Sequence, residues 1–231
     1  MTTCNLDLLN PAPRCPVVLI LDSSRSMQGA PIQELEAGLL QFINETAHDE
    51  AASMSIDLEV IAFGGTPDAK TTTLIPFMPI TDVIQTKIQH LRAYGGTFIG
   101  TAMATAIADL ETRRREYRDH SISAYRPWVI VMSDGKPGDK WQQPARQLRE
   151  LADHGKIQYL GIAIGDQADL SLFAQMLPDR PGPVRLKGLR FRQFFKWLSD
   201  SMVSVSCSSC ADQETIALPN PNAWVDGLEA M

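Results

Sequence analysis

"PVVLILDSSRSMQG", residues 16–29, runs from a continuous apolar segment, Val17 to Leu21, into Asp22 and then three serines within the next four positions. An unbroken apolar run of this length, bounded by turn formers, is the pattern of a strand buried on both faces, and such strands belong to parallel sheets covered by helices. In an extended chain alternate side chains point the same way, so Asp22, Ser24 and Ser26 converge just beyond the strand's C-terminal end. That edge is where open α/β sheets bind ligands.

The rest of the chain carries the same alternation. Apolar, β-rich runs recur at residues 56–64, 127–134 and 157–165. Between them, Ile32, Leu35, Leu39 and Ile43 keep a helical spacing behind Pro31, and Ile99, Met103, Ile107 and Leu110 do so after "YGGT". Further helices are predicted at 144–154, 169–177 and 190–205, the last with Phe191, Phe194, Leu198 and Met202 on one face. The segment 71–80, "TTTLIPFMPI", alternates instead and follows "VIAFGG" closely enough to form its hairpin partner. The predicted fold is a doubly wound, Rossmann-like α/β open sheet, mostly parallel with one antiparallel edge strand and helices on both faces. Residues 16–206 are expected to form the domain, with 1–15 an N-terminal extension and 207–231 a C-terminal tail, because neither end keeps a period.

Length and composition agree with one core: 231 residues, 44% hydrophobic and 21% charged. The net charge of -6 argues against a nucleic-acid or anionic-membrane partner. Two local basic stretches, "TRRREYRD" at 112–119 and the sparser run from Arg180 to Lys196, read as solvated faces. No segment approaches the about 20 apolar residues of a membrane span, and the first residues lack the pattern of a secretory leader, so the expected location is cytoplasmic. Of the four cysteines, Cys4 and Cys15 precede the first strand, and Cys207 and Cys210 follow the last helix. They read as reduced thiols in preference to a four-thiolate zinc site that would tie the two ends together. His48, His90, His120 and His154 show no ligand spacing and are read as surface residues.

A carboxylate with two hydroxyls is a hard, oxygen-only donor set, suited to Mg2+, Mn2+ or Ca2+. Taken alone, residues 23–29 read equally as a βα turn rich in turn formers, with a serine capping the helix. Two further features change the balance. "MSDGKPGD" ends another apolar strand on Asp134, and "YGGTFIGTA" sets Thr97 in a Gly-rich loop that opens a helix. In a parallel sheet these ends share one edge, so two aspartates and three hydroxyls could surround a single cation. Gly95 and Gly96 would let the Thr97 loop approach closely, or serve as plain turn glycines.

The order Asp-x-Ser-x-Ser, then Gly-Gly-Thr, then a strand ending Ser-Asp-Gly resembles the metal-ion-dependent adhesion site (MIDAS) of the von Willebrand factor type A (VWA) domain. Three longer segments, "RCPVVLILDSSRSMQGAPIQELEAGL", "REYRDHSISAYRPWVIVMSDGKPGDKW" and "LRFRQFFKWLSDSM", are similar to bacterial cytoplasmic VWA proteins of the TerY and YegL type, associated with tellurium-resistance-like gene clusters. The resemblance implies that Asp22, Ser24, Ser26, Thr97 and Asp134 hold the metal, the hydroxyls directly and one or both aspartates through water. It also implies that a partner's Asp or Glu completes the coordination shell. Arg25 departs from the family's usual glycine; pointing inward it would repel the cation, and pointing to solvent, the favoured reading, it would help attract an acidic partner. Asp139 and Trp141 match the family's Asp-x-Trp, and with Arg25 and Gly96 they are the candidate partner-contacting residues. Trp141 reads equally as a side chain packed beneath its loop.

The function these residues imply is a non-catalytic, metal-dependent protein-binding module. By resemblance it acts as a scaffold or adaptor in a phosphorylation-linked stress or tellurite response, with a kinase or phosphatase encoded nearby as a possible partner. The alternative is a Mg2+-dependent phosphohydrolase with Asp22 as nucleophile, but Ser24 stands where that chemistry needs a second aspartate. No G-x-S-x-G elbow, Walker loop or dinucleotide fingerprint is present.

Overall fold

Val17 to Leu21 form the centre of strand β1 (Cys15–Asp22), and every residue of that strand is buried. The computed structural model describes residues 10–85, 90–166, 168–179, 182–208, 216 and 218–226. After β1 the chain makes a single 3-10 turn, then α1 (Ala30–His48), α2 (Glu50–Ser55), β2 (Ile56–Thr66), β3 (Ala69–Pro79) and α3 (Ile80–Val83). It continues with α4 (Ile99–Asp119), β4 (Trp128–Ser133), α5 (Gln142–Asp153), β5 (Gln158–Ile164) and α6 (Leu170–Met176). The last elements are β6 (Pro183–Leu186), α7 (Phe191–Ser206) and the two-residue β7 (Val225–Asp226).

The sheet order is β3-β2-β1-β4-β5-β6-β7. The inner pairs are parallel, while β3 against β2 and β7 against β6 are antiparallel. The doubly wound architecture and its antiparallel β3 edge therefore match the reading of the sequence. Alternate residues of β1 feed opposite layers. Val17, Leu19 and Leu21 pack with Leu35, Leu39 and Phe42 of α1 and Phe194 and Leu198 of α7. Val18 and Ile20 pack with Ile99 and Met103 of α4, Leu148 of α5 and Phe173 of α6. This two-sided burial is why β1 is apolar at every position before Asp22.

The last described residues add an edge that the sequence pattern does not announce. Within the stretch expected as a C-terminal tail, Trp224 is buried, edge-on to Phe194 at 4.9 Å between ring centroids and 5.1 Å from Trp197. Trp197 Nε1 donates to the Pro219 carbonyl at 2.7 Å, Arg190 Nη1 to that of Ala223 at 2.9 Å, and the Lys187 amide to that of Trp224 at 2.8 Å. This strap lies across α7 and continues the sheet through β7. Cys15 is buried at the start of β1 and Cys207 is exposed at the end of α7, while Cys4 and Cys210 lie outside the described residues.

"TRRREYRD" is not a wholly solvated face, which corrects the reading of that stretch. Arg113 and Tyr117 are each 2% exposed. Arg113 donates to Asp57 Oδ2 through Nε at 3.1 Å and Nη2 at 2.7 Å, and Tyr117 Oη donates to the same oxygen at 2.5 Å. Arg14 Nη1 lies 3.9 Å from Asp57 Oδ1 and donates to the Met54 carbonyl at 2.8 Å. The physical reason is that α4 lies along β2, so its inner stripe continues past Leu110 to Arg113 and Tyr117, opposite Asp57 on the same sheet face. His48, His90, His120 and His154 are all exposed, as expected.

Two residues beyond Asp57, Glu59 faces the same helix. Burial pushes its carboxyl up to about 9, and the nearby Asp109 adds to the rise. The folded state thus holds a proton that the unfolded chain releases near 4.5, and stability declines as pH climbs between 4.5 and about 9. Glu59→Gln removes that dependence and should raise the melting temperature by about 2–4 °C at pH 8, with little change near pH 5, read by thermal circular dichroism. Trp224→Ala empties the aromatic contact under the strap, and urea unfolding should show a loss of about 3 kcal/mol.

Candidate functional site

Asp22 ends β1 fully buried, beside Ser133 at the end of β4. Its Oδ1 accepts the Ser24 amide at 2.8 Å and its Oδ2 accepts Ser133 Oγ at 2.5 Å. Ser24 Oγ is 2.9 Å from Ser26 Oγ, and Ser26 Oγ donates to Asp134 Oδ1 at 2.7 Å. One chain of hydrogen bonds therefore links the ends of two strands through Asp22, Ser24, Ser26 and Asp134. Burial raises Asp22 to about 6, against the hydrogen bonds from Ser133 and Ser24, with a further push from the charge of Asp134. Both Asp22 oxygens accept hydrogen bonds within the cluster.

Thr97 enters from the third loop. A Cβ built on Gly135 would stand 3.1 Å from Thr97 Oγ1, so the hydroxyl lies against the glycine that follows Asp134. The Gly138 amide donates to the Thr97 carbonyl at 2.7 Å. The loop is held from its other side as well: the Tyr94 amide donates to the Ser23 carbonyl at 2.9 Å, and the Arg25 amide to that of Gly95 at 3.3 Å. Gly95 has φ +72°, and a Cβ there would fall 1.6 Å from the Gly65 carbonyl oxygen, so only glycine fits. Gly96 is half-buried against the Phe98 ring.

The other rim residues take different places. Asp139 Oδ1 accepts the Gly100 amide at 2.9 Å, and its Oδ2 accepts the Thr101 amide at 2.8 Å and Thr101 Oγ1 at 2.7 Å. It caps α4 from across the site and so fixes the helix that follows Thr97. Trp141 is half-buried against the layer formed by α4, α5 and α6. Arg25 is exposed, which is the outward orientation favoured from sequence. Ser133 is the member of this cluster that sequence reading missed; its signal is a hydroxyl directly before Asp134 at a strand end.

The donors gathered here are hydroxyl and carboxylate oxygens, a set that suits hard divalent cations without selecting one among them. Adjacent oxygens around an octahedral cation with bonds of about 2.1 Å stand about 3 Å apart. The Ser24–Ser26 and Ser26–Asp134 separations of 2.9 Å and 2.7 Å are close to that edge length. Among the described residues no group of three or more His, Cys, Asp or Glu side chains is placed to hold a metal. Any cation taken at this edge would be held by hydroxyls as much as by carboxylates.

Residues 17–181 match the von Willebrand factor type A domain, and the chain belongs to that family. The solved structures it resembles share the fold at low identity. The pilus adhesin SpaC of Lactobacillus rhamnosus GG gives a TM-score of 0.63 at 8% identity, over 83% of this chain and 31% of that one. Proximal thread matrix protein 1 of the mussel byssus gives 0.57 at 17% identity, over 83% and 48%, and a further structure of it is described as having a zinc-occupied MIDAS motif. The manganese-loaded TRAP protein of Plasmodium vivax gives 0.50 at 19% identity, over 77% and 69%. The chain thus spans under half of the mussel and pilus proteins.

These comparisons overturn the expected cytoplasmic location, because the matching structures come from extracellular matrix and pilus proteins. The expectation rests on the opening residues and on the lack of a span-length apolar run, and neither feature fixes a location.

The role of Asp139 as a cap is testable. Asp139→Ala leaves three donors at the start of α4 without their acceptor, and urea unfolding should register a loss of about 1–2 kcal/mol, with Asp139→Asn intermediate.

Proposed function

We propose that the Asp22, Ser24, Ser26, Thr97 and Asp134 cluster holds a divalent cation, Mg2+ first with Mn2+ or Ca2+ able to replace it, and that the cation binds an Asp or Glu carboxylate of a partner protein. The observation that carries this reading is the single hydrogen-bonded chain from Asp22 to Asp134, built from two separate strand ends, with the Thr97 hydroxyl against the neighbouring Gly135. Among the described residues the hydrogen-bond partners of Asp22 are the Ser24 amide and the hydroxyls of Ser24 and Ser133, all of them neutral. A divalent cation would supply a counter-charge and offset the burial cost that raises Asp22. With hydroxyls making up much of the donor set, the ion keeps enough positive charge to take one more carboxylate strongly. The metal-bearing mussel and Plasmodium structures support the reading by fold likeness.

The finer assignment, to VWA proteins of the TerY and YegL type, rests on the three segments quoted above. On that resemblance the domain serves as an adaptor in a phosphorylation-linked stress or tellurite response, with a kinase or phosphatase as its partner. Arg25, Gly96, Asp139 and Trp141 line or support the face on which that partner would sit.

The test begins with the cation. Mn2+ titrated into the full chain and followed by electron paramagnetic resonance should show one site, competed by Mg2+. Ser26→Ala combined with Thr97→Ala should weaken it at least tenfold while melting within about 3 °C of wild type; Asp22→Ala should abolish it. Mn2+ bound equally by wild type and the double variant, or not bound at millimolar concentration, overturns the proposal.

A further inference from the structure

Beside each of the three oxygen-bearing loops stands a cation. Arg25 is exposed between Ser24 and Ser26, on a turn fixed by the Met27 amide donating to the Ser24 carbonyl at 3.0 Å. Lys70 of β3 sets its Nζ 5.7 Å from the centroid of the Phe98 ring, next to Thr97. Lys136 is exposed two residues after Asp134. Among the described residues none of the three forms an ion pair, although Arg146, Arg192 and Lys196 elsewhere on the surface each do. The nearby carboxylates are engaged in other work: Asp139 caps α4, and Asp169 caps α6 by accepting the Ser171 and Leu172 amides and Ser171 Oγ. Lys136 acts on Asp169 through its field, behind the hydrogen bonds from the Ser171 hydroxyl and the Leu172 amide. In a chain of net charge -6, three cations outside any ion pair, set beside one cluster, form a surface complementary to an acidic segment.

We infer that the partner presents an extended segment with acidic side chains at alternate positions, one meeting the oxygen cluster and the next meeting Arg25. The spacing follows from strand geometry: alternate side chains of an extended chain lie on one side, about 6.6 Å apart. Arg25, between Ser24 and Ser26 in the chain and exposed, is the cation assigned to the second acid, and its planar donor fork suits a carboxylate. Lys70 and Lys136 widen the attraction without selecting a position. The inference rests on the cation-dependent reading proposed above and adds to it the sequence class of the partner.

The experiment pans a random dodecapeptide display library against the full chain in MgCl2, in parallel with Arg25→Gln. The best enriched peptide, and its analogue with the second acid replaced by the matching amide, are then titrated by fluorescence polarisation. Wild type should enrich acid-x-acid sequences and lose about three- to fivefold in affinity for the amide analogue, a loss that fades in high salt and is absent in Arg25→Gln. Enrichment of peptides with one acid or none, an equal loss in Arg25→Gln, or no enrichment over the empty support overturns the inference. The two readings fail separately. Acid-pair selection that persists in EDTA upholds the Arg25 contact and sinks the cation reading, whereas Mg2+-dependent selection of a single acid does the reverse.

Discussion

The hydrogen bond from Ser133 Oγ to Asp22 joins the ends of β1 and β4, and the geometry of the whole edge depends on it. Parallel pairing sets Leu21 beside Met132, so the next residues, Asp22 and Ser133, emerge side by side. A carboxylate enclosed at that point must find donors within its own strand ends. It takes one from Ser133 and one from the Ser24 amide, and the second bond turns the backbone as it leaves β1. The turn then carries Ser24 and Ser26 toward Asp134. The oxygen cluster is thus a consequence of strand register, with the side chains arriving where the backbone has already pointed them.

The third loop obeys a backbone constraint of its own. Tyr94, Gly95 and Gly96 exchange amide and carbonyl bonds with Ser23, Arg25 and Gly65, so the loop behaves as a short annex to the sheet. Glycine at 95 is required by both its φ and the closeness of Gly65. Behind it, Asp139 seizes the first amides of α4, so Thr97 is held between a fixed loop and a fixed helix start. An acidic residue next to a proposed cation therefore serves the scaffold, which is a distinction that spacing along the chain cannot draw.

The central strands, the hairpin edge and the main helices were legible because each buries a complete stripe or both faces, leaving an apolar period in the sequence. Asp22, Ser24, Ser26 and Asp134 were legible for a related reason: they stand directly after such strands, where residue spacing converts into position. β6 and β7 left no comparable trace. β6 is four residues with Arg185 at its centre, and β7 is two residues set by the packing of Trp224, a contact with α7 that no local period encodes. Arg113 and Tyr117 were misread because only apolar residues were counted along α4. They continue the stripe of Met103, Ile107 and Leu110, and "IDLEV" shows their counterpart, with Asp57 and Glu59 alternating on one face of β2. A charged residue in phase with a buried stripe is a signal of an internal ion pair when acids alternate in a facing strand.

The two ends of the sheet treat buried carboxylates in opposite ways. At the N-terminal end of β2, Asp57 is met by the guanidinium of Arg113, with Arg14 close by and the Tyr117 hydroxyl completing the shell. That carboxylate carries its counter-charge inside the fold and serves the packing of α4 on the sheet. At the C-terminal end of β1, Asp22 and Asp134 share a cluster whose other members are hydroxyls and an amide, and the cations of that edge stand outside it on Arg25, Lys70 and Lys136. A fold that encloses one aspartate with an arginine has the means to neutralise a second in the same way. Where it surrounds the second with neutral oxygens and keeps its cations at the rim, the carboxylate is left to be neutralised by a proton or, on the reading proposed above, by a divalent cation, and the rim would then meet the acid which that cation attracts.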